Sequence, residues 1–248
     1  MTRDREGAPA TSRREFVLRA GAALAAAAVS PALATAERRG SMRIGIIGAG
    51  RIGGAVGLEW AKAGHEVFFS SRNPEELAPL VQQGGSRTRA GTPAEAAAFG
   101  PVVVIGTPYD ALPQVGRDFA AQMRGKVAIV LSNQARQNGG QPSQDALARG
   151  WGVVTPELLP GTRVTRAFNA INFRFVTSEA HRAGEKVGIP IVGDDPEAVR
   201  ITTELVVDAG FDPVFVGGLD RASSFDPGTP VFVSNMTAAQ LREALGVR

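Results

Sequence analysis

Met42-Arg43-Ile44-Gly45-Ile46-Ile47-Gly48-Ala49-Gly50-Arg51-Ile52-Gly53 is the stretch whose reading decides the fold. It is a short apolar run that ends in glycine and passes into G-x-G-x-x-G. From Arg51 to Ala63 the apolar residues Ile52, Ala55, Val56, Leu58 and Trp60 recur at helical spacing, and Gly64 stands where a left-handed helix cap belongs. A second apolar run, Val67-Phe68-Phe69, follows. Strand, glycine loop, helix and strand thus fall within about 30 residues, the context in which this motif holds a dinucleotide. Gly48 is expected to make the tight turn, Gly50 to let the backbone approach a pyrophosphate, and Gly53 to let helix and strand pack closely. With Arg51 and Ile52, these residues form the expected pyrophosphate site at the positive end of the helix.

The alternation continues outward from there. Pro74 opens a helix over Glu75 to Gln83, with acids in its first turn. Thr92-Pro93-Ala94-Glu95 reads as a capping box. Val102–Ile105, Lys126–Leu131, Arg163–Phe168, Val187–Val192 and Pro213–Val216 read as strands, and Asp194–Ala209 as a helix. Continuous apolar strands separated by helices mark a sheet covered on both faces. The expected fold is α/β, a Rossmann-type doubly wound, mainly parallel sheet filling residues 42–217. The polar segment from Asn133 to Gly150 reads as an exposed loop. Residues 218–248 read as a tail with a final helix from Thr237 to Leu245.

Composition sets the bounds. The 248 residues are 44% hydrophobic and 21% charged, with 30 Gly and 16 Pro. That excludes a disordered chain, a collagen-like repeat and a polytopic membrane protein. The absence of cysteine excludes disulfides, thiolate metal sites and a cysteine nucleophile. With only His65 and His181 there is no multi-histidine metal centre. The net charge of +3 lies wholly in residues 1–41, which hold seven arginines and four acids; the remainder has 20 basic and 20 acidic residues. A neutral body gives no support to nucleic-acid binding.

The basic segment has the layout of an address. Thr11-Ser12-Arg13-Arg14-Glu15-Phe16-Val17-Leu18 resembles the twin-arginine export signal. An alanine-rich stretch from Ala20 to Val29 follows, then Ala32-Leu33-Ala34 and Ala34-Thr35-Ala36 as small-residue cleavage patterns. Residues 1–36 are expected to be a removable signal read by the twin-arginine export machinery, delivering the protein to a periplasm or the exterior. The apolar stretch is too short and weak for a stable membrane anchor.

The dinucleotide is read from the end of the second strand. Sites for NAD place Asp or Glu about 20 residues beyond the glycines. Here the residues are Ser70-Ser71-Arg72-Asn73. Arg72 offers a charged fork to a 2′-phosphate and Ser71 and Asn73 offer further donors, which favours NADP(H).

Several blocks resemble one family, the NADP-dependent reductases of the deazaflavin coenzyme F-420 and their dinucleotide-binding relatives. They are Gly106-Thr-Pro-Tyr-Asp-Ala-Leu-Pro113, Ala167-Phe-Asn-Ala-Ile171, Gly193-Asp-Asp-Pro-Glu197 and Phe211-Asp-Pro-Val214. The resemblance implies that Thr107, Pro108 and Tyr109 lie along the cofactor and that Phe168 and Asn169 lie beside the nicotinamide; core packing is an equal role for Phe168. It implies hydride transfer to a small-molecule redox acceptor, with F-420 or a flavin as co-substrate. One departure is Ser132-Asn133-Gln134, where the family has an Asn-Pro type turn. Hydride transfer between stacked rings needs orientation rather than an acid or base, so no catalytic residue is assigned. His65 is expected to be structural, and His181 to be a surface residue in a polar helix.

A short-chain dehydrogenase needs Tyr-x-x-x-Lys, but the sole tyrosine is Tyr109 and position 113 is Pro. Reductases with an appended helical bundle need more than the 32 residues after Val216. A ferric or flavin reductase of the same fold and a non-catalytic NADP-sensing module stay open. A homodimer is allowed, in which the tail 218–248 covers a neighbour's site.

Overall fold

The computed structural model describes residues 40–133 and 144–248. The expected export segment, residues 1–36, lies outside the described residues, as does 134–143 of the polar loop.

Eight strands form one sheet. The chain runs β1 (Arg43–Ile47), α1 (Arg51–Ala63), β2 (Glu66–Ser70), α2 (Ala78–Gly84), β3 (Thr88–Gly91), α3 (Pro93–Phe99), β4 (Val102–Ile105), α4 (Leu112–Met123) and β5 (Val127–Val130). It continues through α5 (Gln144–Arg149), α6 (Trp151–Leu158), β6 (Arg163–Arg166), α7 (Phe173–Glu179), β7 (Gly188–Gly193), α8 (Pro196–Asp208), β8 (Asp212–Gly217) and α9 (Ala238–Leu245). The sheet order is β3-β2-β1-β4-β5-β6-β7-β8. Pairing is parallel everywhere except between β6 and β7, which are antiparallel. Order reverses at β1, with β2 on one side and β4 on the other. That is the switch point at which doubly wound sheets bind ligands.

The core explains why the strands read as unbroken apolar runs. All four residues of β4 are buried, and they alternate in direction. Val102 and Val104 join one apolar cluster with Trp60, Phe69 and Phe211. Val103 and Ile105 join another with Leu112, Met123 and Phe225. Each side of the strand faces its own helix layer, so neither alternate position can be polar. Trp60 is fully buried and its indole N–H donates to the Leu205 carbonyl at 2.7 Å, tying α1 to α8. The rings of Trp60 and Phe211 both meet Phe168 edge-on, at 5.9 and 6.0 Å.

Several local expectations hold. Gly64 caps α1 in the left-handed region, and Thr92 and Glu95 form the reciprocal capping box of α3. The helices expected over Asp194–Ala209 and Thr237–Leu245 form as α8 and α9, and the structure shows Asp195 and Thr237 capping them. His65 is structural: it is 2% exposed, its Nδ1 accepts from the Met42 amide, and Nε2 lies 3.1 Å from Asp208.

Others need correction. The helix expected over Glu75–Gln83 opens as a 3-10 turn, Pro74–Leu77, before α2 begins with Pro79 in its first turn. β3 is an edge strand that its short polar sequence concealed. Residues Gln144–Arg149, read as loop, form a helix with Ala146 fully buried. His181 lies beyond the end of α7 with φ 58°, not inside a helix; its half-exposed ring sits 3.9 Å from Glu59. The tail is not peripheral. Leu219, Ala222, Phe225, Val231, Leu241 and Leu245 are buried in the same core cluster as β4 and β5.

Candidate functional site

The site begins at the glycine loop. Gly48 has φ 92°, a conformation that a side chain would strain. A Cβ there would also stand 2.8 Å from the Thr107 amide nitrogen. The amides of Gly48 and Ala49 both donate to the Ser70 carbonyl, at 3.2 and 2.8 Å, fastening the loop to the end of β2. At Gly53 a Cβ would fall 2.6 Å from the Gly48 carbonyl oxygen, so only hydrogen allows α1 to start this close to β1. Gly50 differs: no atom lies within 4 Å of its Cβ position. Nothing inside the protein requires glycine there, and the open space above the loop is where a phosphate would approach. The residues therefore fit a dinucleotide pyrophosphate.

The two halves of the expected cofactor site lie on either side of β1. Ser71, Arg72 and Asn73 follow β2. The Ser71 hydroxyl accepts from the Asn73 amide at 3.0 Å, and Asn73 Nδ2 donates to Glu76 at 2.9 Å. Arg72 is exposed, with no ion pair among the described residues. On the other side, at the carboxyl ends of β4, β5 and β6, opens a cavity of about 490 Å³. Gly106, Thr107 and Pro108 line it from β4; Leu131, Ser132 and Asn133 from β5; Phe168, Asn169 and Ile171 from the turn after β6. Arg51 and Ile52 form the side nearest the glycine loop, while Asn172 and Phe173 lie at the start of α7. Phe232 and Val233 complete the lining from the tail. The tail thus lines a cavity of its own chain.

Six of the thirteen expected residues line this cavity, namely Arg51, Ile52, Thr107, Pro108, Phe168 and Asn169. Tyr109 is not in the lining. Its ring packs edge-on against Trp151 at 4.6 Å, and its hydroxyl lies 3.0 Å from both the Trp151 carbonyl and Thr155 Oγ1. Pro108 turns the chain so that Tyr109 enters the core and is 4% exposed. Burial pushes its pKa above the ordinary tyrosine value, against the lowering effect of the Thr155 hydrogen bond. Phe168 borders the cavity, yet its ring is 1% exposed and committed to Trp60 and Phe211. Its φ of 57° carries the chain out of β6 and presents Asn169 to the cavity.

Sequence reasoning missed the polar layer around the cavity floor. Arg166, on β6, is 1% exposed and its Nη2 lies 2.8 Å from Asp226 Oδ1. The same nitrogen lies 3.3 Å from the Ser132 carbonyl and from Asn133 Oδ1. Asn169 Nδ2 donates to Asn133 Oδ1 at 3.1 Å, and Asn133 Nδ2 donates back to the Asn169 carbonyl. Ser132 Oγ donates to the Thr107 carbonyl at 2.6 Å, bracing the turn after β4. A basic residue at the end of a strand facing two apolar layers was the available signal. Its partner, 60 residues away, was not. Among the described residues there is no cluster suited to a metal ion, and no helix is long and apolar enough to cross a membrane.

Comparison with known proteins agrees with this geometry. Residues 43–134 match the family described as NADP oxidoreductase coenzyme F420-dependent. The protein YjhV of Escherichia coli (strain K12) is 37% identical over 59 residues, covering 24% of this chain and 43% of YjhV, so the match spans under half of that relative. The hypothetical protein SMa0349 from Sinorhizobium meliloti superposes with a TM-score of 0.69 at 25% identity, over 80% of this chain and 96% of that one. A provisionally assigned F420-dependent NADP reductase from Arthrobacter sp. FB24 gives 0.64 at 22% identity, over 84% and 96%. A reductive aminase from Aspergillus terreus, solved with NADPH4, gives 0.52 at 20% identity, over 75% of this chain and 58% of its own. Over residues 43–134 the chain carries the family signature of the coenzyme F420-dependent NADP oxidoreductases, on a fold it shares with solved reductases and dehydrogenases.

Proposed function

We propose that the protein is an NADP(H)-dependent oxidoreductase that passes hydride between nicotinamide and a deazaflavin- or flavin-type acceptor. The observation that carries this is the placing of the cavity. It adjoins the Gly48–Gly53 loop at the switch point, and Ile52, Leu131, Ile171, Phe232 and Val233 give it apolar surface. No His, Lys, Asp, Glu or Tyr lines it among the described residues. Such a site suits a reaction whose main demand is two oriented rings shielded from water. The bound dihydronicotinamide supplies the hydride. The chain supplies the rest: loop amides and Arg51 for the pyrophosphate, Arg72 with Ser71 and Asn73 for the 2′-phosphate, and Asn169 with Thr107 beside the nicotinamide end. Match of residues 43–134 to an NADP oxidoreductase family supports the same cofactor.

The test is anaerobic NADPH oxidation by the purified protein with F-420, FMN, FAD and ferric chelate offered in parallel, while cofactor binding is followed by fluorescence. Turnover with one acceptor names the substrate. Binding without turnover on any of them identifies a sensing module instead, and failure to bind NADPH removes the dinucleotide assignment. We also propose that residues 1–36 direct twin-arginine export of the folded, cofactor-loaded protein. N-terminal sequencing of protein from the native cell should then begin between Thr35 and Glu37; a start at Met1 rules this out.

A further inference from the structure

We infer that Asn169 Oδ1 accepts an N–H from the amide or imide group of a ring bound in the cavity, and that Asn133 is the positioning residue that keeps this oxygen free to do so. This rests on the cavity being the hydride-transfer site. Two residues of its wall carry buried side-chain oxygens with no hydrogen-bond partner among the described residues, Asn169 Oδ1 and Thr107 Oγ1. Asn169 is only 3% exposed, so its amide is largely cut off from bulk water. A buried acceptor left unpaired is costly, and a ligand that brings a donor removes that cost.

The direction of both amides follows from what each neighbour can do. Arginine has donors and no acceptor, and a main-chain carbonyl has acceptors and no donor. Arg166 Nη2 lies 3.3 Å from one end of the Asn133 amide, which must therefore be oxygen. The other end donates to the Asn169 carbonyl and must be nitrogen. Asn133 Oδ1, so fixed, faces the Asn169 side chain at 3.1 Å, and only Asn169 Nδ2 can meet it. That leaves Oδ1 as the unused end of Asn169. Arg166 is itself held by Asp226 at 2.8 Å, so the tail anchors the whole series. Its charge is answered there, and the wall calls for a hydrogen-bond donor rather than for a charge. Thr107 adds a hydroxyl that can donate, while Ser132 Oγ steadies its carbonyl at 2.6 Å. An acceptor and a hydroxyl lining one cavity match the N–H and C=O of an uncharged amide. The nicotinamide carboxamide has that pair, and so does the ring imide of a flavin or deazaflavin; the two sources are separable.

Replacing the carboxamide nitrogen of NADP+ by methyl gives its 3-acetylpyridine analogue, which has lost the donor and kept the carbonyl. The full chain should bind NADP+ roughly five- to a hundredfold more tightly than this analogue, the range for leaving a buried acceptor unpaired. Riboflavin and its N3-methyl derivative, offered to the chain saturated with NADP+, test the acceptor's imide in the same way. A preference in the first pair assigns Asn169 to the nicotinamide, and one in the second pair alone assigns it to the acceptor; either upholds the inference. Asn169→Ala should abolish the preference by weakening the donor-bearing ligand while leaving its methyl counterpart unchanged. Asn133→Ala should reduce it with Asn169 intact, and Asn133→Asp, which keeps an oxygen between Arg166 and Asn169, should restore part of it. If Asn133→Ala weakens both members of a pair alike and leaves their ratio as it was, the positioning role is overturned. Preference in neither pair, or a preference that survives Asn169→Ala, overturns the inference. A chain that does not bind NADP+ at all overturns the underlying function, a result distinct from these.

Discussion

Replacing Asp226 with alanine should destabilise the protein far more than an ordinary surface change. Asp226 is the carboxylate partner of Arg166, at 2.8 Å, and the two side chains are only 10% and 1% exposed. Alanine would leave a guanidinium inside the fold facing one carbonyl and one amide oxygen, both at the longer distance of 3.3 Å. Stranding one member of such a pair costs about 3–5 kcal/mol. For a folded unit of this size each kcal/mol lowers the melting midpoint by about 2–4 °C, so a fall of about 6–20 °C is expected. The local turn should survive, because Thr229 bonds to the Asp226 backbone carbonyl and not to its side chain. Urea unfolding of the single variant and of Arg166→Met/Asp226→Ala separates the causes. Removing both charges should recover most of the loss, since an apolar pair of similar volume carries no desolvation cost. The reasoning is refuted if Asp226→Ala costs less than about 1 kcal/mol, within the usual span of an exposed pair, or if the double variant is no more stable than the single one.

Gly50→Ala should leave the melting midpoint nearly unchanged, because its Cβ meets no atom within 4 Å and its φ of −73° suits any residue; NADP+ affinity should fall roughly tenfold or more, the scale of one charge-assisted contact, as measured by fluorescence titration. Arg72→Ala should weaken NADP+ binding much more than NAD+ binding, and equal losses in calorimetry would contradict its assignment to the 2′-phosphate. The sole tyrosine should titrate, by its ultraviolet absorbance, above the ordinary value of about 10. The native state then keeps that proton when the unfolded chain has lost it, so the unfolded state binds fewer protons and stability should decline as pH rises past about 10. A midpoint at or below the free-tyrosine value would place the Tyr109 hydroxyl in solvent.

The central part of this molecule was legible because its signals are local. The glycines of 48–53 and the capping box at Thr92 each act within a few residues, and β4, buried on both sides, is apolar throughout. What escaped depends on distant partners. Thr88-Arg-Ala-Gly is a strand because β2 offers it an edge, not because its own side chains favour extension. The reversal between β6 and β7 rests on two paired positions, Thr165 with Gly193 and Arg166 with Val192, and nothing in those residue types encodes strand direction. Tyr109 follows a strand end as a ligand-contact residue would, but Trp151 and Thr155 supply the packing and hydrogen bonds that draw it inward. Arg166 stands out only as a charge at the end of a covered strand, and Asp226 not at all; the pair acquires meaning when the tail crosses the end of β6.

That crossing has a consequence for how the protein is made. Ribosomes deliver the chain from the amino end, so the glycine loop and the first five strands emerge long before Asp226 and Phe232. A nascent chain stalled after β6 would display the phosphate loop and a floor still missing its carboxylate and its last apolar wall. The cleft takes its final form only once residues 226–233 have emerged, which makes that segment the timing step of its maturation.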